Sequence, residues 1–233
     1  MAGSVKKPQE IYDHLWSEAS LALERGQPDI DPFLSDKEND FRRGITLAFR
    51  PSPAVRSRVK EFLREAAQAA PDQHIYQLDE LHTTVLSVIP GSATWRNHLP
   101  ELPAMRAIIS DVFQNRNKFS VVFRGVTASP GVVMIQGFPV DNALAQLRDY
   151  LRAAFKRNNI GADIDRRYKI ATAHITAMRF SMPLADWSRL LAVLNANRTT
   201  DFGETHVETV ELLFGDWYAS KGSVSILEKY QLK

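Results

Sequence analysis

The sequence predicts a mixed α and β fold built from two similar lobes, and three observations carry that prediction. From residue 44 onward, short apolar runs alternate with segments whose apolar residues recur at helical spacing. The order of elements then repeats: a strand at 44–50 and a helix from Ser52-Pro53 are matched by a strand at 132–138 and a helix from Asp141. Finally, the offsets agree, at 88 residues for strand and helix and 92 for a histidine in the next strand. A period of this length marks a duplicated β-α-β-α-β lobe and not a solenoid. Lobes related by a twofold would bring the two matching strands together at a central cleft.

The elements follow in order. Ile11, Leu15, Ala19, Ala22 and Leu23 form the stripe of an amphipathic helix over 9–25, and Gly26–Asp40, with Pro28 and Pro32, reads as a loop. Gly44–Arg50 is a strand with Ile45, Leu47 and Phe49 on one face. Ser52 caps a helix with proline in its first turn, and Val55, Val59, Phe62, Leu63 and Ala66 are its stripe. An apolar strand over 81–89 follows, then a helix near 101–116 through Met105, Ile108, Ile109 and Val112. Strands at 118–127 and 132–138 flank the turn Ala128-Ser-Pro-Gly131 and should pair as a hairpin. The second unit continues with Leu144, Leu147, Leu151 and Phe155 inward, a strand near 173–180, and a helix from Pro183 (Leu184, Trp187, Leu191, Leu194). Strands at 205–214 and 223–231 end the chain. The expected division is an N-terminal helical extension and loop over 1–40 and one bilobal domain over 41–233, with lobes of roughly 41–128 and 129–233.

With 233 residues and 44% hydrophobic content, the chain can bury a sizeable core. A net charge of +2 provides no basic field of the kind a duplex-DNA binder needs. The absence of cysteine removes disulfides, thiolate zinc sites and cysteine nucleophiles together. No apolar run has the length of a membrane span, and the first residues lack a signal-peptide stretch, so a cytoplasmic monomer is expected.

The chemistry lies in the third strand of each unit. Leu-His-Thr-Thr-Val-Leu-Ser-Val-Ile (81–89) and Ala-His-Ile-Thr-Ala-Met-Arg-Phe (173–180) each place a histidine two residues before a threonine. Residues i and i+2 of a strand share a face, so His82 stands beside Thr84 and His174 beside Thr176. The other histidines, His14, His74, His98 and His206, have no Thr or Ser at that offset. Two imidazoles around one phosphorus can activate water and protonate the departing oxygen. Two hydroxyls can donate to the non-bridging oxygens, where charge gathers in the transition state. That chemistry requires no metal or other cofactor.

The pattern resembles the 2H phosphoesterase superfamily, with its LigT-like, 2′-5′ RNA ligase-type and cyclic nucleotide phosphodiesterase members. The resemblance runs from about residue 43 to the C-terminus. It rests on Leu81-His-Thr-Thr-Val85, Ala173-His-Ile-Thr-Ala177 and the duplicated order, with Phe119–Val126, Val133–Gly137 and Tyr230-Gln-Leu232 also similar. It implies a bilobal α+β LigT-like fold with two antiparallel sheets meeting at the cleft. It further implies opening of a 2′,3′-cyclic phosphate or related phosphodiester by His82, Thr84, His174 and Thr176, the partner being a small cyclic nucleotide or an RNA 3′ end. Thr83 stands where the family commonly has an apolar residue, and the first forty residues have no counterpart in its shorter members.

Arg43, Arg124 and Arg179 are candidates for gripping a phosphate, since arginine suits multidentate anion contacts. Arg179 is three residues beyond Thr176 and so falls on the opposite face of a regular strand. Tyr168, Trp217 and Tyr218 are candidates for stacking on a base. Two further readings are a non-catalytic nucleotide or RNA-end binding module on the same cleft, and a metallohydrolase recruiting His98 or His206. The latter lacks compact ligand spacing. His98 and His206 read as ordinary surface residues.

Overall fold

Among the described residues of the computed structural model, 7–166, 169–184 and 186–233, the apolar alternation resolves into five α-helices and nine strands. The helices are α1 (Pro8–Glu24), α2 (Pro53–Ala69), α3 (Leu102–Phe113), α4 (Ala143–Arg157) and α5 (Ser188–Ala196). The strands are β1 (Arg43–Phe49), β2 (His74–Ile75), β3 (Thr83–Ser92), β4 (Phe119–Ser129), β5 (Val132–Pro139), β6 (Ile175–Arg179), β7 (Asp201–Val207), β8 (Thr209–Asp216) and β9 (Ser225–Gln231). The β4–β5 hairpin forms as expected.

Local chemistry sets the helix starts. The Ser52 hydroxyl accepts from the Val55 N–H at 3.3 Å, with Pro53 in the first turn. α4 begins at Ala143, two residues later than expected, because the Asp141 carboxylate accepts the Ala143 N–H outside the helix. α5 likewise begins at Ser188 and not at Pro183, with the Asp186 carboxylate accepting the Ser188 N–H. A 3-10 segment, Trp95–Glu101, precedes α3.

Every strand pairing is antiparallel, in the order β7-β4-β5-β6-β3-β1-β8-β9, with β2 alongside part of β6. This order is symmetric about its middle. The histidine strands β6 and β3 meet at the centre, and the first strands of the two repeat units, β5 and β1, flank them. The halves do not follow a cut of the chain at 128/129: β4 belongs with β5 to β7, while β8 and β9 return to extend β1 and β3.

The expected strand at 205–214 is split at Glu208 into β7 and β8. These two are one residue apart in sequence and six steps apart in the strand order. A flat sheet would hold them about 29 Å apart, at roughly 4.8 Å per step, whereas the two extended steps from Val207 to Thr209 span only about 7 Å. The sheet must therefore curl until its two sides meet at Glu208. Helices cover its apolar faces: α1 and α5 pack on β4, α2 on β7, α4 on β3 and α3 on β9.

Candidate active site

The two halves of the sheet join at a single residue pair, Thr83 opposite Ile175. These are the middle residues of the two His-x-Thr motifs. Antiparallel register then sets His82 across from Thr176 and Thr84 across from His174. Thr83 and Ile175 are fully buried on the far face, so the four polar side chains share the near one. The Thr83 hydroxyl finds no hydrogen-bond partner among the described residues, which fits a position where an apolar residue would serve as well.

All four line one cleft of about 190 Å³. Its walls include Thr46, Tyr76, Ser87, Arg179, Asp216 and Trp217. Arg179 reaches it despite its odd spacing from Thr176. Between Met178 and Thr176, β6 advances two residues while β5 advances one, from Val133 to Met134. That bulge reverses the alternation and returns Arg179 to the Thr176 face. The same irregularity occurs in β3, where Leu86 and Thr84 oppose Leu47 and Ala48, and it brings Ser87 into the cleft. Ser87 and Arg179 are themselves 92 residues apart, the spacing of the two histidines. Arg179 Nε donates to the Tyr76 hydroxyl at 2.8 Å.

Each imidazole is held from behind by a group two residues upstream. His82 Nδ1 lies 2.8 Å from the Glu80 carbonyl oxygen, which can only accept, so Nδ1 carries the proton and Nε2 the lone pair in the neutral ring. His174 Nδ1 lies 2.8 Å from the Thr172 hydroxyl, which can donate or accept. Burial lowers the His82 pKa, opposed by the Glu80 carbonyl. Burial also lowers that of His174, to about 4, with Arg148 and then His82 adding to the effect.

Arg148 is a site residue that the sequence motifs do not reveal. It projects from α4 and is 3% exposed. Its guanidinium donates to the carbonyls of Val85 (2.9 Å), Thr84 (2.8 Å) and Thr172 (2.8 Å). One buried side chain thus ties the bulge of the first motif to the approach of the second. The sequence carries a trace of it, because 144, 148, 151 and 155 lie on one helical stripe and Arg148 is its one charged member.

Of the other candidates, Trp217 lines the cleft, packed on Gly91, where a Cβ would collide with its ring. Tyr218 does not line it. The Tyr218 side chain is buried behind Trp217, donating to Asp31 at 3.0 Å and accepting from Arg42 at 2.8 Å. The Arg42 guanidinium lies over both rings. Arg43 turns away, donating to the Asp40 and Arg42 carbonyls. Arg124 is exposed on β4, over Phe138 and outside the cleft. Tyr168 lies outside the described residues. His98 faces Asp163 at 3.2 Å, and His206 is hydrogen-bonded to Ser120 at 2.6 Å. Among the described residues no three His, Asp or Glu gather as a metal site, and no helix is long and apolar enough to cross a membrane.

No protein-family model matches the sequence, and no curated protein matches it significantly. Solved structures do. The crystal structure of TT0787 of Thermus thermophilus aligns with a TM-score of 0.61 at 19% identity, over 81% of this chain and 97% of that one. Escherichia coli LigT complexed with 3′-AMP aligns with a TM-score of 0.54 at 15% identity, over 82% and 98%. A structure described as a phosphoesterase aligns with a TM-score of 0.55 at 15% identity, over 82% and 99%. The curled antiparallel sheet, centred on the two histidine strands, is a LigT-like fold.

Proposed function

We propose that the protein is a 2H-type phosphodiesterase, opening a 2′,3′-cyclic phosphate or a related phosphodiester of a nucleotide or RNA end by acid–base catalysis without a metal. One observation carries this reading: both His-x-Thr pairs face a single cleft, joined through Thr83 and Ile175. Crystals of E. coli LigT, which has the same fold, hold 3′-AMP and, separately, ATP.

In the proposed reaction His174 is the base and His82 the acid. Burial and the Arg148 charge keep His174 neutral, as a base must be. Burial lowers the His82 pKa, and the Glu80 carbonyl behind the ring works against that shift, so His82 can serve as the acid below its lowered pKa. A water oxygen attacks phosphorus while its proton passes to His174. The bond from phosphorus to one ribose oxygen breaks, and His82 supplies the proton to that oxygen. Thr84 and Thr176 donate to the non-bridging oxygens as charge develops, and Arg179 offers a fixed positive charge beside them.

The activity test is incubation of the purified full chain with 2′,3′-cyclic nucleotides in EDTA, resolving the 2′- and 3′-phosphate products. Opening of the ring is the expected result. Tight binding with no product over long incubation would replace catalysis by a binding role.

The assignment also fixes a pH profile, because the active form has His174 neutral and His82 protonated. The His174 pKa is lowered to about 4, so protonation below that value removes the base. The His82 pKa is lowered from 6.5, so the acid is lost as pH rises through a midpoint below that figure. A bell-shaped kcat/KM is expected, with limbs near 4 and below 6.5. Activity constant from pH 5 to 9 would contradict it.

Trp217 is the proposed base platform. Trp217→Ala is expected to raise KM by roughly tenfold or more, since stacking on a base contributes about 1–3 kcal/mol. Steady-state kinetics on a cyclic nucleotide should show kcat far less affected.

A further inference from the structure

The segment leading into β3 and the loop between β8 and β9 meet at a buried acidic side chain, Glu80, which is 7% exposed. Both carboxylate oxygens accept from backbone: Oε2 takes the Gln77 N–H at 2.8 Å and Oε1 the Lys221 N–H at 2.6 Å. The Glu80 N–H in turn donates to the Gln77 carbonyl at 3.0 Å, closing a turn. The Glu80 carbonyl is the group that holds His82 Nδ1 at 2.8 Å. One residue therefore grips the ring of the proposed acid with its backbone and a separate loop with its side chain. Bonds from an N–H to a carboxylate are among the stronger hydrogen bonds in proteins.

The loop it grips, 217–224, is a wall of the cleft, to which Trp217, Ala219 and Val224 contribute. Lys221 sits between two residues of left-handed backbone, Ala219 with φ of 55° and Gly222 with φ of 87°. Alanine keeps that conformation only where surrounding contacts enforce it. The Asp216 carboxylate accepts the Tyr218 and Ser220 N–H groups, which closes the loop on its own strand. The bond to Glu80 does something else, since it ties the loop to a segment 141 residues away, the one that carries His82. A second link, Lys221 Nζ to Asp79 at 2.9 Å, lies between exposed side chains and contributes little.

We propose that Glu80 is a positioning residue for nucleoside recognition: its carboxylate fixes the wall that carries Trp217 relative to His82. This rests on the reading of Trp217 as the base platform and His82 as the acid. A nucleotide then meets a stacking surface and a proton donor whose separation is set by one side chain. A substrate without a base gains nothing from that spacing.

The experiment compares two substrates on the full chain, a 2′,3′-cyclic nucleotide and a base-free ribose 2,3-cyclic phosphate, and takes the ratio of their kcat/KM values. Any disturbance of His82 through the Glu80 carbonyl affects both substrates alike and cancels in the ratio. Glu80→Gln leaves one acceptor oxygen for two N–H groups, and Glu80→Ala leaves none. Each should lower the ratio by roughly tenfold or more, through KM for the nucleotide, with Lys221 amide hydrogen exchange faster by a similar factor. Asp79→Asn should leave the ratio unchanged, and a fall in it as large as that of Glu80→Gln overturns the proposal. Once Trp217 is replaced by alanine, adding Glu80→Gln should lower the ratio no further, and a full further loss also overturns it. So does an unchanged ratio in a folded Glu80 variant. A Lys221 amide that exchanges freely in the native chain overturns it even if neither Glu80 variant folds. Should the native chain turn over neither substrate, the catalytic reading fails instead, and the same ratio taken from the two dissociation constants still decides the role of Glu80.

Discussion

His82→Ala and His174→Ala are each expected to slow opening of a 2′,3′-cyclic nucleotide by about 10²–10⁴-fold, the range for one positioned proton transfer. The losses should fall mainly in kcat. The double variant should lose less than the product of the two single factors, because groups that act together are not additive. Both rings are partly exposed at the cleft and contribute little to the core. Melting temperatures should therefore stay close to that of the native chain, which separates lost chemistry from lost fold. Undiminished turnover in either folded variant would end the two-histidine mechanism.

Arg148→Met should have the largest effect on stability. Three carbonyls, those of Thr84, Val85 and Thr172, lose a buried donor at once. An orphaned buried polar group costs about 1–3 kcal/mol, so a loss of roughly 3 kcal/mol or more is expected in urea unfolding. At about 2–4 °C per kcal/mol for a chain of this size, the melting temperature should fall by at least ~6 °C. Whatever folds should also show His174 titrating higher, because the charge that most lowers its pKa after burial has gone. The acid limb of the rate profile would move up with it. Native stability in Arg148→Met would mean that those carbonyls find other donors.

The contrast between these two residue sets explains what could be read from the chain alone. His82, Thr84, His174 and Thr176 were legible because a strand's period of two and a repeat offset of 92 are both local patterns. The helices from Pro53 and the β4–β5 hairpin were legible from cap and turn residues. Regular alternation puts Arg179 on the wrong face, because its bulge depends on how β5 pairs with β6, which the β6 sequence alone does not encode. Tyr218, Arg43 and Arg124 were plausible anion or base contacts by type. Their actual partners, Asp31 and Arg42, the Asp40 carbonyl and the Phe138 ring, were set by packing. The break at Glu208 was hidden because the chain is extended on both sides of it.

That one-residue passage from β7 to β8 has a mechanical consequence. The two halves are joined by hydrogen bonds at Thr83–Ile175 and by covalent bonds at Glu208, on opposite sides of the curl. A hinge needs one free side to swing open, and here neither side is free. Held on both sides, the halves keep the side chains of His82, Thr84, His174 and Thr176 in one arrangement at the floor of the cleft.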